Sequence, residues 1–181
     1  MMRGLRPGCF RQVWHAFSAQ ADTFPECANR AYTQGASSSQ QWQHGLRDLV
    51  VKARPDLATL STLEMEHQLA LIDRRHAQFE YLLRADGRRI RTREGLSPFR
   101  NFEWTEADAR LLRQQSSSYA ATDRKVVELE RQAQERHDWP ALHDYVRTSL
   151  SGSPQFQDLL KQLQEREAGI ARLLKDCQPS H

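Results

Sequence analysis

A stretch without glycine or proline, from Asp56 to Arg84, places the strongest constraint on the fold. Its apolar residues recur at alternating steps of four and three, a spacing that aligns side chains along one side of an α-helix. The stripe consists of Met65, Leu69, Ile72, His76, Phe79 and Leu83. It predicts a helix over about residues 56–84 with a length of about 42 Å. A helix of that length typically forms the spine of a helical bundle or one arm of a coiled coil.

The C-terminal half of the chain also has a helical pattern. Ser153 followed by Pro154 is a strong helix start, and the apolar stripe behind it predicts a second long helix over about 154–176. Thr105 and Asp108 have the spacing of a capping box, which predicts another start. Shorter helices are expected over about 106–116, 118–136 and 140–150.

The N-terminal half is interpreted as two helices separated by a break. Pro25 suits the first turn of a short helix that Gly35 would end. The serines at 37–39 would then cap a second helix. Pro55 stops this second helix, because the residue before a proline is disfavoured in the α conformation.

These patterns predict an all-α fold, an irregular bundle of five to seven helices with the spine at about 56–84 and the long C-terminal helix at about 154–176. Residues 22–181 are assigned to a single helical domain with a long irregular segment at 86–104. No strand or internal repeat is expected, and the short connections favour antiparallel neighbours. The spine helix can pair with a second copy of the chain as readily as with its own helices, so a homo-oligomer is one alternative.

Residues 1–21 are interpreted as a tail or a degenerate targeting segment. Small residues around Ala21 suit a signal-peptidase cleavage site, but the apolar core of an export signal is missing. The chain as written is therefore expected in the cytoplasm, with a periplasmic or secreted location after cleavage at Ala21 as the alternative. No apolar run approaches the ~20 residues of a membrane span, so no transmembrane segment is expected.

The cysteines bear on the same choice of compartment. The chain has three, at Cys9, Cys27 and Cys177, and cleavage after Ala21 would leave an even pair. A disulfide between Cys27 and Cys177 would close a loop of about 150 residues and restrict the unfolded chain. The alternative is two unrelated thiols in a reducing compartment. Their spacing matches neither a zinc site nor a Cys-x-x-Cys redox motif.

The most distinctive local composition lies in the irregular segment at 86–104, here called the arginine segment. Between residues 84 and 100 the chain carries six arginines and only two carboxylates. Aromatic residues follow closely. The candidate binding residues are Arg88, Arg89, Arg91, Arg93, Arg100, Phe99, Phe102 and Trp104. An irregular connection of this length is often functional.

Three interpretations of the arginine segment remain open. The first is a solvated loop with its aromatic residues packed inward. The second is a surface for an acidic protein partner, and the third is a site that binds single-stranded nucleic acid through charge and stacking. The net charge of +3 is too small to indicate nucleic acid by itself. Arginine outnumbers lysine 22 to 4, so an arginine-rich stretch is weaker evidence for a binding site here than in an average chain.

Candidate metal ligands occur on the spine helix. Glu64 and His67 have the Glu-x-x-His spacing that di-metal bundles place on two different helices. A second pair, Asp73 and His76, lies on the same helix and faces the opposite way, so the two pairs are interpreted as surface pairs. No cofactor is expected, and the sequence contains no nucleophile motif or phosphate-binding glycine loop.

We therefore expect a non-enzymatic interaction or accessory protein that binds a protein partner through helix faces and the arginine segment. A metal-dependent helical-bundle enzyme using Glu64 and His67 is one alternative, and a nucleic-acid-binding protein is the other.

Overall fold

The computed structural model describes residues 23–90, 96 and 100–177, and within these ranges it contains α-helices and short helical turns but no strand. The predicted all-α class and both long helices are confirmed. The helices are α1 (Phe24–Ala53), α2 (Ala58–Asp86), α3 (Glu106–Gln115), α4 (Ser117–Gln134), α5 (Trp139–Tyr145) and α6 (Pro154–Asp176). Two 3₁₀ turns (Pro55–Leu57 and Gly87–Arg89) and a π-helical turn (Val146–Leu150) connect them.

The predicted break near Gly35 is wrong, because α1 is one continuous helix of 30 residues. Glycine inside a helix costs about 1 kcal/mol relative to alanine, and packing on two sides of α1 outweighs that cost. Gly35 and Ser38 are buried there. Farther along, a β-carbon at Gly45 would lie only 2.7 Å from Cδ1 of Leu159. Gly45 is therefore a position where α6 approaches α1 closely, Gly35 and Ser38 lie in the packed part of α1, and the helix ends only before Pro55.

Two helix starts predicted in the C-terminal half are confirmed, and each has the capping interaction that its sequence indicates. The Ser153 side chain accepts a hydrogen bond from the Phe156 amide, and Pro154 occupies the first turn of α6. Thr105 and Asp108 form the predicted capping box at the start of α3. Caps of this kind satisfy backbone amides that have no partner inside the helix.

Antiparallel pairs of long helices build the bundle. Across α1 and α2, the Gln40 amide donates to Asp73 over 2.9 Å. Across α2 and α4, the Gln78 amide donates to the Tyr119 hydroxyl over 3.1 Å. On its other side α1 packs against α6, so the long helices follow the order α6, α1, α2, α4. No helix among the described residues is long and apolar enough to cross a membrane.

Among the described residues, two main apolar clusters lie at opposite ends of this array, and a smaller one joins α2 to α4. The first cluster lies at the ends of α2 and α6 and centres on Phe79, whose ring stacks on Tyr32 with the centroids 3.9 Å apart. The second cluster lies where α5 and the π-helical turn cover α1 and α2. Its buried members are Val50, Leu57, Leu60, Leu142 and Leu150. The smaller cluster is formed by Ala70, Val126 and Leu129.

A disulfide joins Cys27, in the first turn of α1, to Cys177, directly after α6. The two Cα atoms are 5.4 Å apart, and the bond links positions separated by 150 residues. Both cysteines are buried. The predicted pairing is therefore confirmed, and it fixes the start of α1 to the end of α6.

Candidate binding site at the arginine segment

The first end of the arginine segment is bound to α3 through Arg89. Its guanidinium donates to both carboxylate oxygens of Asp108, over 3.1 and 2.8 Å, and also to the Glu103 carbonyl over 2.9 Å. Two parallel bonds to one carboxylate are the strongest geometry for an arginine ion pair. Asp108 also accepts from the amide and the hydroxyl of Thr105, so the cap of α3 and the segment share one carboxylate.

The electrostatics of Asp108 follow from these partners. Its hydrogen bonds with Arg89, supplemented by those from Thr105, hold the pKa of the carboxyl group far below its ordinary value. A group whose pKa is lowered on folding stabilises the fold above its unfolded pKa, near 3.9 for aspartate. That stability is lost as the pH falls through the lower pKa of the folded state.

Asp108→Asn should therefore lower the free energy of unfolding by about 2 kcal/mol at pH 7, because Arg89 and the cap of α3 lose a charged acceptor. Urea unfolding at a series of pH values measures the effect. The gap between wild type and variant should persist above about pH 4 and close as the pH falls well below it. Asp144→Asn is the matched control, since Asp144 pairs with Arg147 on the exposed surface, and it should change stability by less than about 0.5 kcal/mol. A gap for Asp108→Asn that does not depend on pH would contradict the assignment.

The second end of the segment is bound through Arg100 and Arg75. Nη1 of Arg100 donates to Glu167 on α6 over 2.7 Å. Arg75, on α2, donates to the carbonyls of Arg100 and Phe102 over 3.3 and 2.8 Å. Its guanidinium also lies over the Phe102 ring, 3.6 Å from the centroid, which adds a cation–π contact. Burial lowers the pKa of Arg75 from its ordinary value, although arginine remains charged in proteins.

The described aromatic residues of the segment face the bundle. Phe102 is buried in the first apolar cluster. Trp104 is half-buried, and its ring makes edge contacts with Tyr81 and Tyr119, with centroids 5.8 and 6.3 Å apart. Both rings pack against protein, Phe102 completely and Trp104 in part. Phe99, Arg91 and Arg93 lie outside the described residues.

Among the described arginines of the segment, Arg88 is the most exposed, with 92% of its side chain accessible to solvent. Its Nε donates to Asp86, two residues away, over 2.9 Å. Arg84, four residues earlier on α2, is exposed as well. Arg88 therefore extends into solvent while its neighbour Arg89 is held against α3.

A pocket lies beside the second end of the segment, between α1, α2 and residues 100–101, and is here called the Arg100 pocket. Its volume is about 240 Å³. Nη2 of Arg100 is buried at this pocket and has no hydrogen-bond partner among the residues that the structure describes. Burial raises the pKa of Tyr32, which also lines it, to about 12, so that hydroxyl stays protonated.

The candidate metal ligands on α2 are not gathered into one centre. Glu64 accepts from Gln68 over 3.0 Å, and His67 faces Glu130 on α4 at 3.8 Å. His76 lies on the opposite side of α2, 3.2 Å from the Thr33 hydroxyl of α1. Within residues 23–90 and 100–177 there is no group of three or more histidine, cysteine, aspartate or glutamate side chains able to hold a metal ion.

Arg75 is the residue of this site that the sequence interpretation missed. It lies three residues after Ile72 and four before Phe79, which places it on the apolar side of α2. An arginine at stripe spacing was the available signal, because a charge there needs a partner.

Comparison of the chain with protein-family models, with curated proteins and with solved structures finds no match.

Proposed function

We propose that this protein is a non-enzymatic interaction protein that presents the arginine segment to an acidic protein partner in an oxidising compartment. One observation carries the proposal: Arg89 and Arg100 hold the two ends of the segment against α3 and α6, whereas Arg88 is 92% exposed. A basic side chain is thus displayed at a defined place on a fixed framework. Such an arrangement lowers the entropic cost of binding.

The chemistry of Arg88 favours a carboxylate partner. The guanidinium fork matches the two oxygens of a carboxylate. The pairing of Arg88 with Asp86 joins two solvent-accessible side chains, and such pairs contribute little stability. A carboxylate of the partner can therefore replace Asp86 at small cost, and exposed Arg84 adds a second positive charge nearby.

Two further features support a protein partner outside the reducing cytoplasm. Phe102 is buried and Trp104 is partly buried, so the described part of the segment exposes little of the ring surface on which single-stranded nucleic acid stacks. The Cys27–Cys177 disulfide is of the kind that persists in oxidising compartments.

The proposal is tested by affinity capture from a nuclease-treated extract of the protein's own cells, with the oxidised chain as bait and mass spectrometry as readout. Three baits are compared: wild type, the double variant Arg84→Glu/Arg88→Glu, and Arg147→Glu. Arg147 is the matched control, because its side chain is 77% exposed and pairs with a nearby aspartate.

We expect at least one protein to be captured equally by wild type and Arg147→Glu and at least tenfold less by the double variant. Raised salt should weaken this capture, since exposed charges are screened. Equal capture by all three baits would contradict the proposal. So would the absence of any captured protein.

A further inference from the structure

Another pocket lies where α1 and α2 meet α5 and the π-helical turn, and is here called the π-turn pocket. Its volume of about 240 Å³ exceeds the roughly 150 Å³ of an apolar cavity known to bind benzene. His143 and Arg147 line it and are exposed, so the pocket opens to solvent on their side. A molecule the size of one aromatic ring can therefore enter it and fit.

The surface that this pocket presents to a ligand is mainly apolar. Leu46 and Val146 are only half-buried, so both keep accessible surface for a ligand to cover. Met65 adds a flexible thioether side chain, which adapts its shape and makes favourable contacts with aromatic rings. The other apolar lining residues are Val50 and Leu142. A ligand that covers these side chains is stabilised in proportion to the apolar area that it removes from water.

The backbone beside the pocket has an unusual geometry. Val146 is the first residue of the π-helical turn, and its carbonyl accepts from the Ser151 amide, five residues later, over 2.9 Å. The Thr148 hydroxyl donates to the carbonyl of Asp144 over 2.6 Å and satisfies a second backbone acceptor nearby. Turns of this kind are rare and are frequently found at functional sites. The π-helical turn is thus an indication of a binding site that does not depend on the volume of the pocket.

The charged lining residues favour a neutral ligand. Arg47 and Arg147 are positive and Glu64 is negative, so a ligand of either sign would meet a like charge. The two arginines already donate to aspartates over 2.7 and 2.6 Å, and Glu64 accepts from Gln68 over 3.0 Å. A charged ligand would lose hydration beside the apolar walls and would also have to displace one of these partners.

From these contacts we infer that the π-turn pocket binds a small neutral apolar molecule about the size of one aromatic ring. Such a ligand contacts the accessible sides of Leu46 and Val146 and the thioether of Met65. The inference is independent of the partner proposed for Arg88, because it concerns a pocket lined by other residues and needs no second protein.

Nuclear magnetic resonance tests the inference on the oxidised full chain, labelled with carbon-13 at the methionine methyl groups. Met65 is the only methionine among the described residues, and Met65→Leu identifies its signal. Toluene should shift this signal and saturate the shift, since an aromatic ring changes the resonance of a methyl group beside it. Three charged derivatives of the same ring, benzylammonium, phenylacetate and phenylalanine, should bind at least tenfold more weakly. An unmoved Met65 signal, or a charged derivative that binds as tightly as toluene, would overturn the inference.

Two variants that fill the pocket provide the second test. Val146→Phe and Leu46→Phe add bulk from two different elements, and each should weaken toluene binding at least tenfold. Val127→Phe is the matched control, because Val127 is 60% exposed on α4 and does not line the pocket, and its affinity should stay within twofold of wild type. Circular dichroism identifies the filling variants that keep the helical fold. Wild-type affinity in a folded filling variant, or an equal loss in Val127→Phe, would overturn the inference.

Discussion

Replacing Cys27 with alanine is expected to lower the free energy of unfolding by about 2–5 kcal/mol. The bond links residues 150 positions apart, and a cross-link of that span removes many conformations from the unfolded chain. Urea unfolding followed by circular dichroism measures the difference. Cys9 is replaced by serine in every protein compared, so that no free thiol can pair with the partner left behind.

The control for this prediction is the reciprocal variant. Cys177→Ala and the double variant should lose as much stability as Cys27→Ala, because each breaks the same bond. Reductant should lower the stability of the parent to the level of the variants and leave the variants unchanged. Equal urea midpoints for the parent and Cys27→Ala would show that the cross-link does not stabilise this fold.

Phe79→Ala is expected to cost about 3–5 kcal/mol, because it leaves a cavity in the first apolar cluster. Phe79 is 0% exposed and contacts the rings of Tyr32 and Phe102, with centroids 3.9 and 6.0 Å away. The same urea experiment measures the loss. Val127→Ala is the control, since Val127 is 60% exposed, and it should change stability by no more than about 0.5 kcal/mol. A loss below about 1.5 kcal/mol for Phe79→Ala would mean that neighbouring side chains move in and fill the cavity.

The elements that could be predicted from sequence are those whose signal is local. Met65 and Phe79 of the predicted stripe are buried on α2, and the start of α6 needs only Ser153 and Pro154. The break predicted at Gly35 failed for the opposite reason. Local preference counts against glycine in a helix, but the approach of α6 depends on residues more than a hundred positions away.

In the candidate site, too, local signals could be read from the sequence and long-range contacts could not. Six clustered arginines identified the segment, but spacing could not distinguish which of them bind the bundle and which remain exposed. Arg89 finds its carboxylate 19 residues further along the chain, and Arg100 finds its partner 67 residues further along. Arg75 was missed because two of its acceptors are backbone carbonyls, which every residue carries and which no side-chain pattern reveals.

The Cys27–Cys177 bond also determines how the molecule responds to mechanical load. A pulling force applied to the chain before residue 27 and after residue 177 would pass through the sulfur–sulfur bond and bypass the helices between them. The oxidised protein would then act as a short, inextensible link. Once the bond is reduced, the same force reaches the 150 residues between the cysteines, which can lengthen to about 500 Å when fully extended.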